Sequence, residues 1–295
     1  MRVKEFFHLG KESVTAWQDD HASSMGAAIA FYTVFSIAPL LIIVIAVAGF
    51  VWGEDAVRGE IIRQLGGLVG TEGASGVQNL IKSADKPAQG ITATVISAIV
   101  LIVGSTTVFA ELQSALDRIW RAPALEKTGI WSTLRARLLS FGLVLGLAFL
   151  LLVSLILSAA LAALGQWTSG LFPGWELLLQ VINAIVSLSI ATVLFAMIYK
   201  FMPQAKIAWR DVWVGAVVTA VLFEIGKFLI ALYVGKSSTI SSLTAAGSLV
   251  VVLIWVYYAA QVFLLGAEFT WTYAKHYGSH ASAGHEARED DMTPP

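Results

Sequence analysis

An all-α integral membrane protein, built as a bundle of six transmembrane helices with short amphipathic interfacial helices, is the fold this sequence predicts. The first observation is a set of six hydrophobic stretches, over residues 24–51, 91–110, 138–164, 177–199, 211–234 and 248–272, which take up most of the 295 residues. A hydrocarbon core about 30 Å thick is crossed by about 20 helical residues, and each stretch reaches that length. The second is composition, with 57% hydrophobic and only 13% charged residues. A soluble domain carries about 25% charged residues, so this chain has roughly half the usual supply. The third is the placement of positive charge. One side collects Arg2, Lys4, Lys11, Arg118, Arg121, Lys127, Arg135, Arg137, Lys200, Lys206, Arg210, Lys275 and Arg288. The other has Arg58, Arg63, Lys82, Lys86 and Lys236, and Lys227 falls within a stretch. The positive-inside rule then puts both termini in the cytoplasm, as an even number of spans requires.

The elements follow in order. Residues 1–23 read as a cytoplasmic N-terminal interfacial helix. Val3, Phe6, Phe7, Val14 and Trp17 recur at helical spacing, with Lys4, Glu5, Lys11 and Glu12 off that face. A short helix packed on the bundle fits the same pattern. Residues 24–275 form one six-helix transmembrane domain. Its first span carries Pro39, which removes a backbone hydrogen bond and marks a candidate kink. Ala46-Val47-Ala48 resembles a signal cleavage site, but the apolar run before it exceeds a signal core of 7–15 residues, so the run reads as a retained helix.

Residues 52–90 form an extracytoplasmic amphipathic segment. Ile61, Ile62, Leu65 and Leu68, then Val77, Leu80 and Ile81, predict two short helices parted by Gly70-Thr71-Glu72-Gly73, lying across the bundle mouth as a lid over 57–84. Periodicity continues after the second span through Leu112, Leu116, Ile119 and Trp120 until Pro123 ends the helix. Residues 276–295 are polar, end in two prolines and read as a disordered cytoplasmic tail.

Polar residues inside spans are costly, which makes them the candidates for function. Glu224 and Lys227 are three apart in the fifth span, near mid-depth. They suit either a self-compensating structural pair or the lining of a substrate path. Tyr258, Gln261 and Glu268 share one face of the sixth span. Gln180, Asn183 and Ser187 share one in the fourth, and Ser97, Gly104 and Glu111 one in the second. Such stripes suit a hydrated cavity or interhelical hydrogen bonds in a dry core. Glu111 and Glu268 also lie near the cytoplasmic ends, where a carboxylate can reach water.

Other chemistries lack their residues. Without cysteine there is no disulfide, thiolate metal site or cysteine nucleophile. A net charge of −1 gives no footprint for nucleic acid. Gly235-Lys236-Ser237 resembles the end of a phosphate loop but has Ile230 where the glycine belongs. His276, His280 and His285 sit in or beside the polar tail, where solvation is the ordinary reading, and no zinc-protease spacing follows His285-Glu286. No metal and no cofactor are expected.

Several segments together resemble the YihY/BrkB family of bacterial inner-membrane proteins. They are Met25-Gly26-Ala27-Ala28-Ile29-Ala30-Phe31-Tyr32 through Ser36 and Ala38-Pro39-Leu40, Leu116-Asp117-Arg118-Ile119-Trp120, and Phe201-Met202-Pro203 with Trp209-Arg210-Asp211 and Gly215-Ala216. Ile254-Trp255-Val256-Tyr257 and Leu265-Gly266-Ala267-Glu268 complete the set. Thr244-Ala245-Ala246-Gly247 departs from the family's usual Tyr-Gly-Ala-type segment. The resemblance implies a six-helix protein of the bacterial inner membrane, linked in general terms to envelope integrity and virulence. Many members carry the label ribonuclease BN. Hydrolysing RNA needs metal ligands or an acid/base pair open to a polyanion, and the spans offer neither.

The expectation is therefore a non-enzymatic, transporter-like or lipid-handling protein with a polar intramembrane cavity. Its partners would be membrane lipids and an amphiphilic or small polar substrate, with no nucleic acid. A homo-oligomer or envelope protein partners are compatible with it. The competing expectation is a non-transporting scaffold for envelope-assembly partners.

Overall fold

The computed structural model describes residues 3–84, 107–122, 175–205, 207–236 and 245–279. Helices α1 (Val3–Asp19), α2 (Ala22–Trp52) and α3 (Glu54–Ala84) come first. They are followed by α4 (107–119), α5 (Trp175–Phe201), α6 (Trp209–Lys236) and α7 (Ala245–His276). Among the described residues there is no strand. The molecule is an all-α membrane protein.

Among the described residues three helices are long and apolar enough to cross a bilayer: Leu177–Phe201, Trp209–Leu229 and Leu249–His276. A bent pair, Lys4–Asp19 with Ala22–Ala38, meets the same test as one unit. The expected third span, 138–164, and all but the last residues of the second, 91–110, lie outside the described residues, as does the tail beyond Ser279.

The chain divides into two compact units. The first comprises Met1–Ser13, Leu116–Leu222 and Gly266–Pro295; the second comprises Val14–Ala115 and Phe223–Leu265.

In the second unit α2 and α3 form a hairpin with a one-residue turn. Gly53 adopts φ 87°, a conformation open to glycine at no steric cost, and its N–H bonds Gly49 O at 2.8 Å. A side chain at Gly49 would press on Glu54, so the tight turn depends on that glycine too. The break expected around 70–73 is present: Gly70 alone leaves the helical region, at φ 77° and ψ 172°. The segment after it is not a cover. Ala74, Val77 and Ile81 are buried, and the last two share one apolar cluster with Ala30, Val34 and Ile45 of α2 and Val252 and Val256 of α7. Ile61, Ile62 and Leu65 pack at its margin. The lid reading is corrected accordingly, because α3 folds back along α2 and supplies core.

α2 stays helical through Pro39. Its apolar stretch nonetheless divides at that residue, into Ala22–Ala38 and Leu40–Phe50, and a bend of 68° lies where α1 and α2 meet. His21 takes the left-handed conformation there, φ 56°, which a residue with a Cβ adopts at a cost.

In the first unit Leu9 of α1 is buried with Phe269 and Tyr273 of α7, against Val214 and Val218 of α6. Phe6 meets Phe269 at 5.6 Å between ring centroids, whereas Phe7 stays 77% exposed. α1 thus packs on the bundle through one edge of its apolar face and leaves the other edge open.

Candidate functional sites

The charged pair forms as its spacing requires. Lys227 Nζ lies 2.7 Å from a Glu224 carboxylate oxygen, near the middle of α6, and each side chain is about 30% exposed. The neighbours Val221, Ile225, Phe228 and Leu229 are exposed apolar residues. An ion pair surrounded by such side chains is closed on itself but not sealed.

Tyr258 and Gln261 of α7 both lie against glycine. Gly226 leaves the space that the Tyr258 hydroxyl occupies, and Gly26 leaves that of the Gln261 amide. The Gln261 Nε2 donates to Ser23 O at 3.3 Å. Gln180 and Asn183 are exposed on α5 beside Leu177, Leu178, Val181 and Ile185. Glu111 is half-buried on α4. Ser97 and Gly104 lie outside the described residues.

Glu268 corrects its sequence reading. A place near a helix end predicts access to water, yet the residue is fully buried. It belongs to the first unit, whereas Glu224, Lys227, Tyr258 and Gln261 belong to the second. Two shallow depressions stand out among the described residues. One, of about 240 Å³, is lined by Phe31, Tyr32, Phe35, Ser36 and Thr107; the other, of about 210 Å³, by Val14, Trp17, Gln261, Val262 and Leu265. Both fall short of the roughly 300–1,000 Å³ of a whole-ligand pocket. Among the described residues no cluster of three metal-ligating side chains occurs.

Sequence reading missed a polar joint in the first unit. Helices α6 and α7 each carry a glycine followed four residues later by threonine: Gly215 and Thr219, Gly266 and Thr270. Each glycine faces the other helix's threonine, so a Cβ at either position would overlap it. Each threonine hydroxyl donates to its own glycine's carbonyl at 2.7 Å, which removes a donor that hydrocarbon could not satisfy. The Tyr199 hydroxyl of α5 then joins Thr219 Oγ1 at 3.0 Å, so three helices meet at one dry contact.

Two carboxylates fix chain ends around this joint. Asp211, in the first turn of α6, is fully buried, and its Oδ2 accepts from Ser279 N–H at 3.0 Å and Ser279 Oγ–H at 2.6 Å. A carboxylate at a helix N-terminus complements the dipole while it ties down the chain leaving α7. Gly278 is needed beside it, because a side chain there would strike Asp211. Asp117 accepts the Gln204 N–H at 2.7 Å. Burial pushes its carboxyl above the ordinary aspartate value, and the Gln204 N–H pulls the other way. Trp120 meets Trp271 edge to face at 5.5 Å. The signals are there in the acidic first turn of α6 and the two Gly-x-x-x-Thr spacings, which a search for charged stripes passes over.

These joints use the same short segments that carry the family resemblance, and whole-chain comparison agrees. The family model for Virulence factor BrkB matches residues 13–291. The chain belongs to the BrkB family. It is 27% identical over 259 residues to a UPF0761 membrane protein of Ralstonia nicotianae, covering 84% of this chain and 55% of that one. It is 31% identical over 184 residues to one of Klebsiella pneumoniae, covering 62% and 61%. With the UPF0761 membrane protein YihY of Shigella boydii it shares 29% over 199 residues, covering 67% and 64%. The chain spans about half the length of the first of these BrkB-family relatives. No solved structure matches it.

Proposed function

We propose that this BrkB-family protein is a non-enzymatic, transporter-like or lipid-handling protein of the bacterial inner membrane that supports the cell envelope. In this reading both termini are cytoplasmic, and Glu224 and Lys227 meet the polar part of an amphiphilic substrate. The observation that carries it is the partly open ion pair, 2.7 Å across and set among exposed apolar side chains of α6. Full enclosure would make such a pair costly, because the lost hydration of two ions can exceed their mutual attraction. One held half-open offers both signs of charge to a zwitterionic or hydrogen-bonding headgroup.

The scaffold reading has its own support, since both depressions are small and apolar and the α6–α7 joint is dry. Protein purified in native-lipid nanodiscs separates the two. Lipid-handling predicts a co-purified amphiphile class enriched over the bulk membrane, and loss of that enrichment in Glu224→Gln/Lys227→Met. Bulk lipid composition in both preparations would favour the scaffold. Reporter fusions after Lys275 should be active in the cytoplasm and at residue 75 outside, and the reverse pattern would overturn the orientation.

A further inference from the structure

The turn between α5 and α6, within the first unit, holds a cation that neither the charged pair nor the α6–α7 joint uses. Lys200, in the last turn of α5, is half-buried. Its ammonium donates to Ile207 O across the connection and lies 5.6 Å from the centroid of the Trp209 ring. A lysine near a helix C-terminus ordinarily serves that helix's own last carbonyls or reaches out into water. This one is held on two sides instead. Among the described residues no carboxylate pairs with it. Asp117 bonds Gln204 N–H, and Asp211 bonds Ser279. The segment from Lys200 to Arg210 also contains Lys206 and has no acidic residue. A held ammonium has three donors, and a positive turn without counter-charge suits an anion whose oxygens can accept from it.

The surroundings decide which kind of anion. Phe201 meets Trp209 edge to face at 5.8 Å, Trp209 lies 6.5 Å from Trp213, and all three rings are exposed. They stand where one apolar helix ends, Leu177–Phe201, and the next begins, Trp209–Leu229. Exposed aromatic rings at such ends mark the boundary between hydrocarbon and water. The exposed ridge continues along α6 through Trp209, Trp213, Val217 and Val221, each four residues from the last. At 1.5 Å rise per residue that ridge runs about 18 Å, close to the roughly 15 Å of one leaflet's half of the hydrocarbon core. A free phosphate gains nothing from such a ridge. An acyl chain does.

We propose that Lys200 binds the phosphate of an anionic phospholipid, whose glycerol and acyl chain lie on Trp209, Trp213, Val217 and Val221. Lys206 and Arg210 in the same turn favour a lipid with net negative charge over a zwitterionic one. The lipid anchors the α5–α6 turn at the bilayer surface and is not a carried substrate. The site therefore stands whether or not Glu224 and Lys227 meet one.

The test uses the full chain in mixed vesicles with two photoreactive lipids, phosphatidylglycerol and phosphatidylcholine carrying the same diazirine acyl chain. Phosphatidylglycerol should label the peptides around Lys200–Trp213 roughly threefold or more above phosphatidylcholine, as one charge-assisted hydrogen bond allows. Lys200→Gln keeps a donor for Ile207 O and removes the charge, and should bring the two probes level. If Lys200→Gln fails to accumulate, Trp209→Leu decides, because it removes the ring beneath the ammonium and should lower the ratio. An excess of glycerol phosphate should leave the labelling unchanged. Equal labelling of the wild type by both probes, a preference that survives these substitutions, or displacement by glycerol phosphate would overturn the assignment.

Discussion

The two units of this molecule treat polarity in opposite ways. In the first, Tyr199, Thr219, Thr270 and Asp211 are buried and bonded, and small residues bring their backbones close. In the second, the core of α2, α3 and α7 is aliphatic, and the charged pair of α6 is left partly open. Polar atoms without water are tolerated only when paired, so the first unit's arrangement specifies one geometry. The second unit's incompletely enclosed groups are where a ligand can still make a difference. Stability is thus expected to reside in the first unit's joints, and function in the second.

The largest effect should come from the reciprocal crossing. Gly215→Val and Gly266→Val each drive a side chain into the facing threonine, and overpacking of about 3 kcal/mol or more should abolish accumulation or sharply lower the thermal midpoint in detergent. Gly10→Ala, at a helical glycine with open space around it, is the control and should be neutral or stabilising by up to about 1 kcal/mol. Equal loss in both would mean that the crossing is not special.

Next is Asp211. Asp211→Ala removes the acceptor for both Ser279 bonds and should cost about 2–3 kcal/mol in denaturant unfolding. Proteolysis near Ser279 should rise with it, since the chain leaving α7 loses its tether. An unchanged midpoint would show the tether to be idle.

Much of this division is legible in the amino-acid sequence. Hydrophobic run length marks the described helices α2, α5, α6 and α7, and turn chemistry places the break at Gly70. The i,i+3 spacing of Glu224 and Lys227 also dictates their contact. What escapes is tertiary. Glu268 sits near a helix end, and only its packing shows that it is buried. Val77 and Ile81 have the periodicity of any amphipathic helix, and periodicity cannot say whether the apolar face meets a membrane surface or another helix. Glycines four residues from threonines read as composition until two helices are seen to cross there.

The smallest predicted effect is a pH dependence. Because burial raises the Asp117 pKa, its ionised form costs stability above that pKa, and the cost is relieved as pH falls toward the ordinary value of 3.8. Wild type should therefore gain on Asp117→Asn as pH drops from neutral. Asparagine keeps an acceptor for Gln204 N–H and carries no titrating charge. Parallel pH profiles for the two proteins would show that Asp117 does not set the dependence.

The most direct test of the division between joint and site is Glu224→Gln/Lys227→Met, read by accumulation and by rescue of an envelope-stress phenotype. Removing charge from a span eases insertion by about 2.5–3.5 kcal/mol per central residue on translocon scales, and the double change leaves no unpaired partner. The protein should accumulate as wild type does and fail to complement. A double mutant that accumulates normally and complements fully would show that the pair only holds the helix in place.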